Sequence, residues 1–145
     1  MKLLIPDVNL LLYVTFEGFP QHDGARRWWE ETLSENNPVG LTGPAVFGFL
    51  RISTHPRILS RPLTASEAGG LVTEWLARPG VTFLRPGAAH IEMALELISA
   101  IGTAGNLTTD IQIAATAIET GGTVCSNDSD FAKFEGVDRF NPLQR

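Results

Sequence analysis

The chain contains a series of short, uninterrupted apolar segments, each separated from the next by a stretch long enough for a helix. These segments are residues 3–5, 39–42, 81–84 and 123–126, with a fifth at 139–140. Strands that are apolar throughout are typical of a parallel sheet covered by helices on both faces. The pattern therefore predicts an α/β fold, a three-layer α/β/α sandwich with a mainly parallel sheet of about four or five strands.

The intervening stretches carry helix signals. The predicted helices span residues 8–16, 21–35, 43–53, 64–78, 87–101 and 107–120. Asp7 is placed to cap the first helix, and Thr64 with Glu67 forms a capping-box pattern at the fourth. Thr108 or Thr109 is the predicted cap of the last helix.

Length and composition favour one folded domain, residues 1–145, with no disulfide framework. The chain has 145 residues and a single cysteine, Cys125, which fits a reducing cytoplasm. The N-terminal apolar run stops at Asp7, too early for a signal peptide, and no membrane span is expected. A net charge of −5 argues against a general nucleic-acid coat, but it allows a nuclease whose acids are concentrated in a metal site.

Four aspartates fall where the predicted sheet would gather them. Asp7 follows the first strand, Asp128 and Asp130 follow the fourth, and Asp110 lies in the first turn of the helix leading into the fourth strand. Ligands bind beyond the carboxyl ends of parallel strands, where strand order reverses. Alone, Asp7 is explained as a cap, Asp110 as a first-turn acid and Asp128 as a turn residue.

Together, these acids require a counter-ion. Two carboxylates about 5 Å apart repel by roughly 3 kcal/mol at a protein-like dielectric constant, so several such pairs would cost as much as a domain's whole stability. Oxygen ligands without histidine or cysteine beside them favour Mg²⁺, with Mn²⁺ as the alternative. The sequence therefore predicts a divalent-metal site.

Several segments carry a family resemblance when read in order along the chain. They are LIPDVNLLLY (4–13), FLRISTHPR (49–57), TDIQIAA (109–115), SNDSDF (126–131) and NPL (141–143). In this order and spacing, the chain resembles PIN-domain proteins of the VapC toxin type over its full length.

The resemblance implies an Mg²⁺-dependent endoribonuclease, the toxin of a type II toxin–antitoxin pair, neutralised by a small antitoxin protein. Carried over residue by residue, Asp7, Asp110 and Asp128 match the family's metal-binding acids, and Asp130 is an accessory catalytic residue. The implied partners are RNA, the cognate antitoxin and a second copy of the chain.

One position departs from the family pattern. Many PIN domains place a glutamate six residues after the Ser or Thr that ends strand two, whereas this chain has Gly48 six residues after Thr42. No acid occurs between Glu35 and Glu67 to replace it. We therefore expect one well-held metal and a second that is weak or enters only with the RNA phosphate.

Other side chains have expected supporting roles. Asn9, Thr109 and Ser126 are candidates to hydrogen-bond around the acids. The candidate phosphate contacts are Arg26, Arg27, Arg51, Arg57, Arg61 and Lys133. An apparent surplus of aromatic residues in the first half predicts an interface with the antitoxin or a second copy; these residues are Phe16, Phe19, Trp28, Trp29, Phe47 and Phe49.

Three other functions compete with a nuclease. A signalling receiver domain also gathers acids and Mg²⁺ at a sheet edge, but it needs an aspartate after its middle strand, where this chain has Leu84, Arg85 and Pro86. A phosphatase of the haloacid-dehalogenase type needs Asp-x-Asp after strand one, where this chain has Asp7-Val8-Asn9. A PIN fold that has lost activity and serves only for binding is the third alternative.

Overall fold

A five-stranded parallel sheet forms the centre of the computed structural model, which describes residues 2–144. The strands are β1 (Leu4–Pro6), β2 (Val39–Thr42), β3 (Val81–Leu84), β4 (Thr123–Cys125) and β5 (Asp138–Phe140). Their order across the sheet is β3-β2-β1-β4-β5, and every neighbouring pair is parallel. The expectation of a mainly parallel sheet is confirmed.

Helices connect the strands. They are α1 (Val8–Thr15), α2 (His22–Ser34), α3 (Gly43–Ser53), α4 (Ala65–Leu76), α5 (His90–Ile101) and α6 (Thr108–Thr120). All four residues of β2 are buried, although successive side chains of a strand point to opposite faces. Both faces of the sheet are therefore covered at β2, as in an α/β/α sandwich, whereas all three residues of the edge strand β5 are exposed.

Polar side chains fix the starts of three helices, and the sequence predicts two of these caps, those of α1 and α4. Asp7 Oδ1 accepts a hydrogen bond from the Leu10 amide at 3.0 Å and caps α1. Thr64 and Glu67 form a complete capping box at α4. Thr42, the last residue of β2, caps α3 through its hydroxyl. The chain thus turns from strand to helix immediately after β1 and β2.

The predicted cap of α6 is wrong. A 3₁₀ turn at Gly105–Leu107 leads directly into α6, so Thr108 is already helical and neither it nor Thr109 caps the helix. The N-cap position belongs to Leu107, which makes no side-chain cap bond. Asp110 nevertheless lies in the first turn, as expected.

Aromatic side chains fill much of the core. The Trp29 and Trp75 rings pack edge to face with centroids 5.8 Å apart, and Phe49 lies 5.0 Å from Trp75. Trp28 is also buried, and Cys125 is a buried thiol in β4. The tryptophans therefore stabilise the fold rather than forming an exposed surface.

This packing corrects the predicted aromatic surplus. Of the six residues assigned to an interface, Trp28, Trp29 and Phe49 belong to the core. Phe16 and Phe19 are half-buried and pack against each other, with centroids 6.3 Å apart. Phe47 is exposed, with 68% of its surface accessible. Sequence alone overestimated the interface because one small sheet uses more aromatic residues than expected.

None of the helices in residues 2–144 has the length and apolar composition needed to cross a bilayer.

Candidate metal centre

The acids meet where the order of the sheet reverses. β1 lies at the centre, with β2 and β3 on one side and β4 and β5 on the other. Asp7 directly follows β1, and the segment that begins at Ser126 directly follows β4. The carboxyl ends of these two neighbouring strands form the crevice in which open parallel sheets bind ligands.

Three of the predicted acids form a group. Asp110, Asp128 and Asp130 each offer a carboxylate oxygen, and these oxygens all lie within 4.8 Å of one another. Asp110 reaches the group from the first turn of α6. Asp128 Oδ1 accepts a hydrogen bond from the Asp130 amide at 2.9 Å, so one tight turn sets the positions of both acids. Lys133 Nζ lies 3.2 Å from Asp130 Oδ1 at the exposed edge.

Asp7 lies beside this group but is more deeply buried, with 3% of its surface exposed. Its Oδ1 accepts from the Leu10 amide, and its Oδ2 accepts from the Ser126 hydroxyl at 2.5 Å. The Ser126 oxygen in turn accepts from the Asp128 amide at 2.9 Å. Ser126 therefore links the buried acid to the segment that carries the other acids, as the sequence suggested for a supporting residue.

The site is electrostatically costly without a cation. Burial raises the pKa of Asp7 from 3.8 to about 6, the hydrogen bond from Ser126 opposes that rise, and the charge of Asp128 adds to it. Burial also raises the pKa of Asp110 from 3.8 to about 6, with further contributions from Asp128, Asp7 and Asp130. The charge of Asp128 thus raises the pKa of Asp7, and the charge of Asp7 raises the pKa of Asp110. Asp7 and the three-acid group therefore interact electrostatically.

A divalent metal fits these residues. The donors are carboxylate oxygens, which hard cations prefer, and ligand oxygens on opposite sides of an ion with bonds of about 2.0–2.6 Å lie up to about 5 Å apart. The spacing within the Asp110, Asp128 and Asp130 group is compatible with that geometry. Direct ligation by Asp7 stays a prediction, because both of its oxygens already accept hydrogen bonds.

A small cleft with a volume of about 160 Å³ lies beside the acids, and Gly48 is one of the residues that line it. Asp7, Asp110 and Arg51 also line it, and α3 contributes no carboxylate there. A Cβ atom at position 48 would lie 2.7 Å from Val8 Cγ2. The glycine therefore permits a close approach of α3 to α1, and an acidic side chain at this position requires Val8 to move.

Three of the other predicted residues lie at the site. Asn9 and Thr109 line the cleft with Arg51, whereas Arg26 pairs with Glu30 at 2.8 Å.

Tyr13 is a further residue near the acids that was not predicted from the sequence. Burial raises the pKa of its phenol, and Asp7 and Asp128 raise it further, so the phenol stays neutral near the acids. The position of Tyr13 on the helix that Asp7 caps was the signal that could have identified it.

The order of the strands separates this protein from receiver domains, which also place acids at the edge of a parallel sheet. The receiver sheet has the order 2-1-3-4-5, whereas β1 is central here. The family model of the PIN domain matches residues 4–137. The chain therefore belongs to the PIN domain family.

Within that family, the chain is similar to VapC ribonucleases. It is 46% identical to Ribonuclease VapC33 of Mycobacterium tuberculosis over 142 residues, 98% of this chain and 99% of the relative. It is 34% identical to Ribonuclease VapC37 of the same organism, over 92% of each chain. The resemblance drawn from the sequence is confirmed.

Solved structures share the fold at low sequence identity. The VapBC-1 structure from nontypeable Haemophilus influenzae aligns with a TM-score of 0.71 and 11% identity, covering 98% of this chain and 99% of that one. VapC20 of Mycobacterium tuberculosis, a toxin that cleaves the sarcin–ricin loop, aligns with a TM-score of 0.64 and 17% identity, covering 93% and 98%.

Proposed function

We propose that this protein is an Mg²⁺-dependent endoribonuclease that hydrolyses RNA phosphodiester bonds as the toxin of a type II toxin–antitoxin pair. The observation that carries the proposal is the approach of Asp110, Asp128 and Asp130 within 4.8 Å of one another beside the buried Asp7. The full-length similarity to proteins named VapC ribonucleases supports the same reaction.

Each acid has a proposed role. Asp110 and Asp128 hold the ion with Asp7, and Asp130 orients water at the open side of the site. Ser126 keeps its proton on Oγ, directed at Asp7 Oδ2, and so holds that carboxylate in one orientation. Arg51 lines the cleft beside Asp7 and Asp110, where its guanidinium attracts an RNA phosphate.

The ion supplies what carboxylates cannot. A bound Mg²⁺ or Mn²⁺ neutralises the phosphate and makes water more acidic. Because Gly48 provides no carboxylate, we propose one well-held ion and a second site that is weak until the RNA phosphate arrives. The raised pKa values of Asp7 and Asp110 mean that protons compete with the ion for the same oxygens.

We further propose that residues 1–145 act as one PIN domain in the cytoplasm, with a cognate antitoxin and a second copy of the chain as partners. The solved relatives include VapBC complexes, which support an antitoxin partner. Co-expression with the neighbouring gene followed by ultracentrifugation tests both partners. A protein that stays monomeric and forms no complex would contradict this part of the proposal.

The test of the reaction is cleavage of RNA by the purified protein with Mg²⁺, with Mn²⁺ and with a chelator. We expect internal cleavage that requires the metal and is abolished by Asp110→Asn, which preserves shape and removes charge. Wild-type protein that leaves RNA intact with either ion would instead favour an inactive PIN fold that serves only for binding.

A further inference from the structure

Two additional clefts adjoin the acid cluster, one on each side. The first, which we call the β5-side cleft, has a volume of about 440 Å³ and is lined by residues that include Asp128, Arg139 and Phe140. The second, the α3-side cleft, has a volume of about 450 Å³ and is lined by residues that include Phe47 and Arg51. Asp128 itself lines the first cleft, and Thr109, the residue before Asp110, lines the second.

Each cleft contains an exposed phenylalanine. Phe47 is 68% exposed and Phe140 is 47% exposed, although other aromatic residues of the chain, such as Phe49 and Phe131, are fully buried. Gly48 faces α1, so the preceding residue on α3 is directed away from that contact. An exposed aromatic face is a surface on which a nucleic-acid base can stack.

Each cleft also contains an arginine. Arg51 lies one helical turn after Phe47 on α3, and Arg139 directly precedes Phe140 on β5. Neither guanidinium pairs with a carboxylate within residues 2–144. The acid cluster repels the phosphates of a nucleic-acid strand. The two arginines, one in each cleft, offset that repulsion on both sides of the cluster.

Amide side chains complete the polar walls. Asn141 Nδ2 donates to Asn127 Oδ1 at 3.0 Å in the β5-side cleft, and Asn141 Oδ1 accepts from the Leu143 amide at 3.0 Å. In the α3-side cleft, Gln112 Nε2 donates to the Thr108 carbonyl at 3.1 Å. These bonds hold the polar walls in place around the two rings.

We propose that single-stranded RNA crosses the acid cluster from one cleft to the other, with the bases on either side of the scissile phosphate stacked on Phe47 and Phe140. Arg51 and Arg139 contact the flanking phosphates. This inference rests on the proposed nuclease function and adds the path of its substrate. Stacking uses the face of a base, which every nucleotide presents and which a duplex keeps covered.

The experiment measures RNA binding separately from cleavage. The RNA is a labelled, unstructured ten-nucleotide strand, and its binding is followed by fluorescence anisotropy with Mg²⁺ in the Asp110→Asn background. The test variants are Phe47→Ala and Phe140→Ala. Phe→Tyr at each position keeps an aromatic face, and Phe→Leu keeps only apolar volume. Ile91→Ala on α5 is the matched control, because Ile91 is 67% exposed and lies outside both clefts.

We expect each Phe→Ala change to weaken binding at least about fivefold, the lower end of a stacking contribution. Phe→Tyr restores the affinity, Phe→Leu does not, and Ile91→Ala has no effect. In the otherwise wild-type enzyme, the same changes raise KM by a similar factor with little change in kcat.

The outcomes separate the two proposals. Cleavage by the wild type with unchanged affinity in both Phe→Ala variants overturns the substrate path and leaves the nuclease intact. Loss of antitoxin binding without loss of RNA binding also overturns it, because the rings would then belong to a protein interface. If the wild type cleaves no RNA, the nuclease proposal fails, and the anisotropy result still decides whether the two rings bind a single strand.

Discussion

Ser126 donates a hydrogen bond from its hydroxyl to Asp7 Oδ2 at 2.5 Å. This bond joins the ends of the neighbouring strands β1 and β4, although the two residues are 119 positions apart in the sequence. The same oxygen accepts from the Asp128 amide. One buried hydroxyl thus holds Asp7 at the end of β1 and the acid-bearing segment after β4. The positions of the acids depend on this contact as much as on the sheet.

Replacing Ser126 with alanine should therefore weaken the site. The change leaves the Asp7 carboxylate without one donor and the Asp128 amide without its acceptor, which costs about 1–3 kcal/mol of stability. We also expect slower Mg²⁺-dependent cleavage, since Asp128 loses its fixed position. Melting temperature and cleavage rate test this, with Ser99→Ala on the exposed side of α5 as control. Wild-type values for both quantities would contradict the role given to Ser126.

The burial of Asp110, together with repulsion from the neighbouring acids, predicts that Asp110→Asn stabilises the metal-free protein at pH 8. The folded-state pKa of about 6 exceeds the ordinary value of 3.8, so this group favours the folded state below about pH 4 and loses that contribution as pH rises through 6. The variant should melt higher at pH 8, by about 2–4 °C per kcal/mol gained when the buried charge is removed. Asp7→Asn should act in the same direction, because asparagine keeps the cap of α1.

The control for that prediction is pH. Below about pH 3 the aspartate is protonated in both folded and unfolded protein, and the melting temperatures of wild type and Asp110→Asn should converge. Excess Mg²⁺ at pH 8 should reverse the order, since only the wild type gains the full binding energy of the ion. An Asp110→Asn protein that melts below wild type in chelator at pH 8 would remove the basis of the metal-site argument.

Metal affinity should fall as pH drops below 6. Asp7 and Asp110 both have pKa values of about 6 without the ion, so protons occupy the ligand oxygens at lower pH. Calorimetric titration with Mn²⁺ at pH 5 and pH 7.5 measures the effect, and proton release on binding should be larger at the lower pH. Equal affinity at the two pH values would be inconsistent with ligation by these carboxylates.

Introducing an acid at position 48 should require two changes. Gly48→Glu alone places Cβ 2.7 Å from Val8 Cγ2 and should destabilise the protein. Adding Val8→Ala removes the clashing methyl groups, and the double variant should bind Mn²⁺ more tightly than wild type. Val8→Ala alone is the control for the loss of packing. A well-folded Gly48→Glu single variant with unchanged stability would contradict this prediction, because it would show that Val8 moves aside without loss of stability.

The sequence was sufficient where local chemistry determines structure. Asp7 caps α1 because its carboxylate lies within hydrogen-bond distance of the Leu10 amide three residues later. A strand that is apolar throughout, such as β2, implies that both faces of the sheet are covered there. The approach of the acids after β1 and β4 to the same edge of the sheet was predictable from the expected topology alone.

Three-dimensional packing decided the rest. The grouping of Asp130 with Asp110 and Asp128 depends on the tight turn after β4, which pattern alone does not define. Phe47 and Phe49 are two positions apart and equally apolar, but one is exposed and the other fully buried because of how α3 rotates against the sheet. The missed cap of α6 has a similar cause, since a preceding 3₁₀ turn moved the helix start.

The close approach of α3 to α1 at Gly48 also constrains how this protein evolves. A mutation that reintroduces an acid at position 48 in the presence of Val8 meets a steric penalty before any benefit in metal binding is available. A substitution that shortens Val8 first loses packing with no gain in catalysis. Each order of mutation therefore passes through an intermediate that loses packing or meets a clash before metal binding can improve, so positions 8 and 48 have to change together for an acid to be accommodated.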